Sequence, residues 1–174
     1  MAMKSFPRRT YGIAVLVLAA IIFVALNIAT DTALTDQRID LTQNSLYTLS
    51  DGTKHTIANL KEPITLRFFY AKHVAADYAQ IQTYAKRVRD LLQQYADLSG
   101  GKIILQEIDP EPFTAAEDQA SSYGLTGAPT DSGDMVYFGL VGSNTIDGKE
   151  VIPFFNQDRE AYLEYDLTSL IYRL

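Results

Sequence analysis

Apolar positions along this chain fall into two regimes. Residues 11–29 form one unbroken run with no charged side chain. As a helix it would be about 28 Å long at ~1.5 Å per residue, close to the ~30 Å hydrocarbon thickness of a bilayer. It is apolar on every face, which argues against a helix packed into a domain core. A cleaved signal peptide would have a shorter apolar core of about 7–15 residues and a small-x-small cleavage site. The Ala29-Thr-Asp31 junction is a poor one, so the run reads as a retained transmembrane anchor.

Beyond residue 45 the pattern breaks into short periodic segments. Ser50 reads as an N-cap with Asp51 in the first turn of a helix that buries Ile57 and Leu60. Residues 64–70, β-branched and aromatic after Pro63, read as a strand. Tyr78, Ile81, Tyr84, Val88, Leu91, Leu92, Tyr95 and Leu98 recur mostly at steps of three and four and predict a long amphipathic helix, stopped at Gly100 and Gly101. Residues 102–108 form the next strand and 114–123 a weaker helix. Residues 124–133 read as a loop. Strands over 135–141 and 150–155 close into a hairpin through Asp147 and Gly148, with Pro153 placing the second strand at a sheet edge. A last helix runs from about residue 159.

From residue 63 to 174 the order is β-α-β-α-β-β-α, an α/β fold with the element order of a thioredoxin-like domain, its βαβ unit right-handed. A thioredoxin would carry Cys-x-x-Cys after the first strand. Ala71-Lys-His-Val stands there, and the chain has no cysteine, which excludes thiol chemistry. Pro129 falls loosely where thioredoxins carry a cis-proline. The expected organisation is a cytoplasmic head (1–10), the anchor (11–29), a stalk with a short helix (30–62) and the domain (63–174).

Charge sets the orientation. Lys4, Arg8 and Arg9 precede the run while Asp31 and Asp36 follow it, which places the N-terminus in the cytoplasm and the domain outside. Those three take all the basic charge before the anchor, leaving 12 basic against 21 acidic residues. So acidic a domain is a poor partner for nucleic acid or anionic lipid.

Candidate chemistry is sparse. His73, just after the first strand, reads as a solvated loop histidine, and His55 as a surface residue of the short helix. Glu107, Asp109 and Glu111 cluster at the end of the second strand, where acid–base or cation chemistry competes with ordinary Asp-Pro-Glu-Pro turn chemistry. Asp131 to Asp134 lacks the ladder of a calcium loop. We therefore expect no catalytic residue, no metal ligand and no cofactor. The last helix says more. Leu163, Leu167, Leu170, Ile171 and Leu174 form one apolar stripe, and Tyr162, Tyr165, Ser169 and Tyr172 a second. A surface helix needs one buried face, so the second predicts a partner interface at Tyr162, Tyr165 and Tyr172, or a further domain of a longer protein. The alternative is a solute- or glycan-binding module with Tyr70, Phe154 and Phe155 as pocket walls.

Four stretches carry a resemblance: residues 38–50 (Arg-Ile-Asp-Leu-Thr-Gln-Asn-Ser-Leu-Tyr-Thr-Leu-Ser), 62–70, 95–103 and 164–170 (Glu-Tyr-Asp-Leu-Thr-Ser-Leu). On these the chain resembles the GldG family, gliding-motility auxiliary proteins of ABC-type transport systems. The resemblance implies a non-enzymatic auxiliary subunit in the bacterial inner membrane. It would have a periplasmic domain, work beside an ABC permease and its ATPase, and be truncated relative to longer family members.

Overall fold

The structure, a computed structural model, describes residues 17–25 and 49–174. The chain divides into two compact units, Met1–Leu46 and Tyr47–Leu174. In the first, residues 17–25 are helical (α1), and Val17, Leu18, Ile21, Ile22, Phe23 and Val24 are all exposed. No helix among the described residues is long and apolar enough to cross a membrane. The remainder of the 11–29 run, the 1–10 head and the stalk up to residue 48 lie outside the described residues.

The second unit contains α2 (Asp51–Ala58), β1 (Ile64–Tyr70), a 3-10 turn (Val74–Asp77), α3 (Ala79–Leu98), β2 (Ile103–Ile108) and α4 (Ala115–Ser122). It continues through β3 (Gly127–Pro129), β4 (Met135–Ser143), β5 (Lys149–Ile152), a second 3-10 turn (Gln157–Tyr162) and α5 (Leu163–Arg173). The fold is mixed α/β around one mixed sheet of order β2-β1-β4-β3, with β5 also pairing β4. β1 and β2 run parallel; β4 is antiparallel to β1, β3 and β5.

Most elements follow from their sequence. The Ser50 hydroxyl accepts from the Thr53 N–H and caps α2, worth about 1 kcal/mol. Helix α3 turns Tyr84, Ala85, Val88, Leu92 and Tyr95 inward. Gly100 and Gly101 follow it at φ of 62° and 89°, a left-handed pair that glycine adopts without a Cβ clash. The buried Ser99 hydroxyl then accepts from Ile103 N–H and starts β2.

The sequence expectations need three corrections. The 124–133 stretch is not all loop: Gly127–Pro129 pairs with residues 135–137 of β4. The hairpin's second strand ends at Ile152, because Pro153 has no N–H to extend the ladder. The last α-helix starts at Leu163 and is preceded by a 3-10 turn, capped by the Asn156 side chain accepting from Asp158 N–H. No cis peptide bond occurs among the described residues, Pro129 included.

The sheet divides the core. Leu66, Phe68 and Tyr70 alternate onto the face covered by α2, α3 and α5, while Phe69 joins Ala120, Leu125, Tyr137 and Val141 in a smaller cluster under α4. Phe138 is the hub of the larger face. Its ring meets Phe68, Tyr70, Tyr84, Phe154 and Phe155 at centroid distances of 5.1–6.0 Å, mostly edge to face.

A polar network joins the three helices over this core. One Glu164 oxygen accepts from the Ser50 N–H at 2.8 Å and the Thr53 hydroxyl at 2.6 Å. Thr168 bonds Thr53 at 2.9 Å and the buried Tyr95 hydroxyl at 2.7 Å. Tyr95 Oη also donates to the Glu164 carbonyl at 3.2 Å. Burial pushes the Tyr95 phenol up to about 12 against the hydrogen bonds from Thr168 and Thr53. Burial would likewise raise Glu164, but the bonds from Thr53 and Ser50 prevail and hold it below its ordinary 4.5.

Two predictions follow from this packing. A Cβ on Gly139 would lie 2.7 Å from the Ile152 carbonyl and 2.1 Å from Leu125 Cδ2. Gly139→Ala should therefore lower stability by about 1–3 kcal/mol in chemical denaturation. Because folding lowers the Glu164 pKa, its contribution is present at neutral pH and is lost as pH falls through the folded value. Glu164→Gln should cost about 1–2 kcal/mol at pH 7, and thermal melts of the two proteins should converge as pH falls below the ordinary carboxylate range.

Candidate functional site

Two surfaces of the second unit carry unspent chemistry. The first is the outer face of α5. Its inner stripe, Leu163, Leu167, Leu170 and Ile171, is buried. Tyr165 and Tyr172 on α5, and Tyr162 at the end of the 3-10 turn before it, remain 69%, 81% and 59% exposed. Arg159 stacks near the Tyr162 ring at 5.7 Å and holds Asp166 in a two-pronged pair at 2.7 and 3.0 Å, fixing the turn before the helix. At the other end, Tyr172 borders a cleft of about 680 Å³ together with His55, Asn59, Leu60, Asn144 and Ile146. Asn144 shapes that rim: its amide donates to the Leu174 carbonyl at 2.7 Å while its oxygen accepts from the N–H groups of Ile146 and Gly148.

The aromatic residues expected to wall a solute pocket are placed otherwise. Tyr70 and Phe155 are buried in the core, and Phe154 packs half-buried against it. The space beside Phe154 and Phe155 is about 200 Å³, below the ~300–1,000 Å³ of ordinary ligand sites.

The second surface lies past the C-terminal ends of β1 and β2. Their parallel register pairs Phe69 with Ile108, so the residues that follow each strand emerge side by side. His73 Nδ1 sits 2.9 Å from Asp109 Oδ2 and 3.2 Å from Glu111 Oε1. Asp109 Oδ1 accepts from the Lys72 N–H at 3.1 Å, and Lys72 Nζ stands 3.7 Å from Oδ2. Glu107, grouped with these acids by sequence, belongs elsewhere: Arg89 holds it at 2.7 Å. Asp134 closes its own turn with Thr130 and Ser132. His55 is exposed on α2 at the cleft rim.

The pairing of His73 with Asp109 and Glu111 escaped sequence reasoning because the residues lie on separate connections. Phe113 escaped it too. This residue is 99% exposed and has a φ of 62°. Glu117 accepts from its N–H at 2.7 Å, and the Thr114 hydroxyl bonds the Glu111 carbonyl at 2.7 Å. A fully exposed phenyl on a left-handed residue gains nothing from burial and costs backbone strain.

The element order and sheet define a mixed α/β domain with open chemistry at one strand edge and on its last helix. The chain matches the family described as a domain of unknown function, DUF7088, over residues 43–143. That is more than half its length, and the chain belongs to this family. The matched span takes in α2 to β4, with His73, Asp109, Glu111 and Phe113; the tyrosine face of α5 lies beyond it. No curated protein and no solved structure matches the chain.

Phe113→Asn should raise stability by about 0.5–1 kcal/mol, because asparagine tolerates the left-handed region and no buried contact is lost. Equilibrium urea unfolding of the two proteins measures this directly.

Proposed function

We propose that this chain is a membrane-anchored, non-catalytic auxiliary subunit of an ABC-type transport system, of the GldG kind, whose outer domain docks a partner protein. The observation that carries the reading is the second face of α5. Tyrosine pairs a large apolar ring with a polar tip at low conformational cost, and it is enriched where proteins meet. Tyr165 and Tyr172 on a helix whose other side is already buried, with Tyr162 exposed at the turn that leads into it, make a docking face. The uncharged run at 11–29, with basic residues before it and acidic ones after, supports a single span with the domain outside. A parallel β1-α3-β2 unit, joined through α4 to the antiparallel β4–β5 hairpin and closed by α5, supports a thioredoxin-like arrangement.

The test is co-purification of the full chain with an ABC permease and ATPase in mild detergent. The triple change Tyr162→Ser, Tyr165→Ser and Tyr172→Ser should reduce recovery of the permease at least tenfold while the melting temperature moves little, since all three rings are exposed. Undiminished recovery would sink the interface; no permease recovered with the unaltered chain would sink the auxiliary role.

A second reading rests on the cleft beside Tyr172, whose volume of about 680 Å³ falls within the range of small-molecule sites. If a solute binds there, it should raise the melting temperature of the unaltered chain and of the Tyr165→Ser variant, but not of Tyr172→Ser.

A further inference from the structure

We infer that His73, Asp109 and Glu111 form a binding site for one divalent transition-metal ion of the zinc type. One ligand atom from each of the three residues lies within 4.8 Å of the others. Around Zn²⁺ with bonds of ~2.0–2.1 Å, neighbouring tetrahedral ligands stand about 3.4 Å apart. The separations from His73 Nδ1 to Asp109 Oδ2 and Glu111 Oε1 are 2.9 and 3.2 Å, so the imidazole and each carboxylate need part by only a few tenths of an ångström to admit the ion. An imidazole with two carboxylates favours a borderline metal over Mg²⁺ or Ca²⁺, which prefer all-oxygen cages.

The scaffold holds the ligands in readiness. The Lys72 N–H engages Asp109 Oδ1 and leaves Oδ2 aimed at His73. Glu111 stands between Pro110 and Pro112, whose rings fix the backbone on either side. The three residues meet beyond the carboxyl ends of two parallel strands, where open α/β sheets bind their ligands. Lys72 Nζ, 3.7 Å from Asp109 Oδ2 on a largely exposed side chain, swings aside when a divalent charge arrives. Three protein ligands leave a fourth position for water or for a donor from another molecule.

The experiment is calorimetric titration of the full chain, without a histidine tag and in detergent, with ZnCl₂ up to about 1 mM, a limit that reaches weak millimolar binding. The expected result is saturable uptake of one equivalent in the micromolar range. Loss of a ligand should weaken it about tenfold or more in His73→Gln and Asp109→Asn, with His55→Gln unchanged. Glu111→Gln, at an exposed side chain, replaces Asp109→Asn if circular dichroism shows that variant unfolded. Absence of one-equivalent uptake, or a loss below tenfold in either ligand variant, overturns the site.

Discussion

A single carboxylate ties the first helix of the domain's helical layer to the last. Glu164 lies in the first turn of α5, and the same oxygen takes the N–H of Ser50, the cap of α2. It thus serves the positive ends of two helices at once. Helix α2 needs this help. It spans eight residues and buries only Thr53 and Ile57, and helices so short are marginal alone in water. Through Thr168 and the Tyr95 hydroxyl the same network reaches α3, the longest helix on that face. Removing the carboxylate would therefore loosen α2 from α5 while the Tyr95 hydroxyl keeps Thr168 and the Glu164 backbone carbonyl.

The network also gives physical meaning to two distant pieces of sequence. The distinctive 38–50 stretch ends on Ser50, and the 164–170 stretch contains Glu164 and Thr168. Both halves of one contact were visible as motifs, and only the fold shows that they touch. Elsewhere legibility followed periodicity. Helix α3 and strand β1 were readable because each must bury a continuous face. Strand β3 was not, because Gly-Ala-Pro has no pattern of its own and is extended only through its pairing with β4. The inward direction of Tyr70 and Phe155 depends on which sheet face the helices cover. The chain alone does not state this, and so residues that looked like pocket walls are core.

The site residues divide along the same line. The exposed tyrosines at and before α5 were legible, since their spacing is local. His73, Asp109 and Glu111 meet only because β1 and β2 lie parallel and in register, a long-range fact. Phe113 had no sequence signal: its meaning rests on a backbone angle and on solvent exposure. One helix, α5, thus fills the core with one side and leaves tyrosines outside with the other, while the strand edge gathers polar groups within the family-matched span.

The position of the Glu164 clip along the chain has a mechanical consequence. Any tension that reaches this domain from the N-terminal side enters the described fold at Leu49 and Ser50. The first ties it meets are the Ser50 and Thr53 bonds to Glu164. These few bonds, with Leu49 and Ile57 behind them, lie ahead of β1 in the chain and are the first to carry such a load. Peeling of α2 would thus lengthen the connection without breaking a strand pairing, since every ladder of the sheet lies beyond it in the chain.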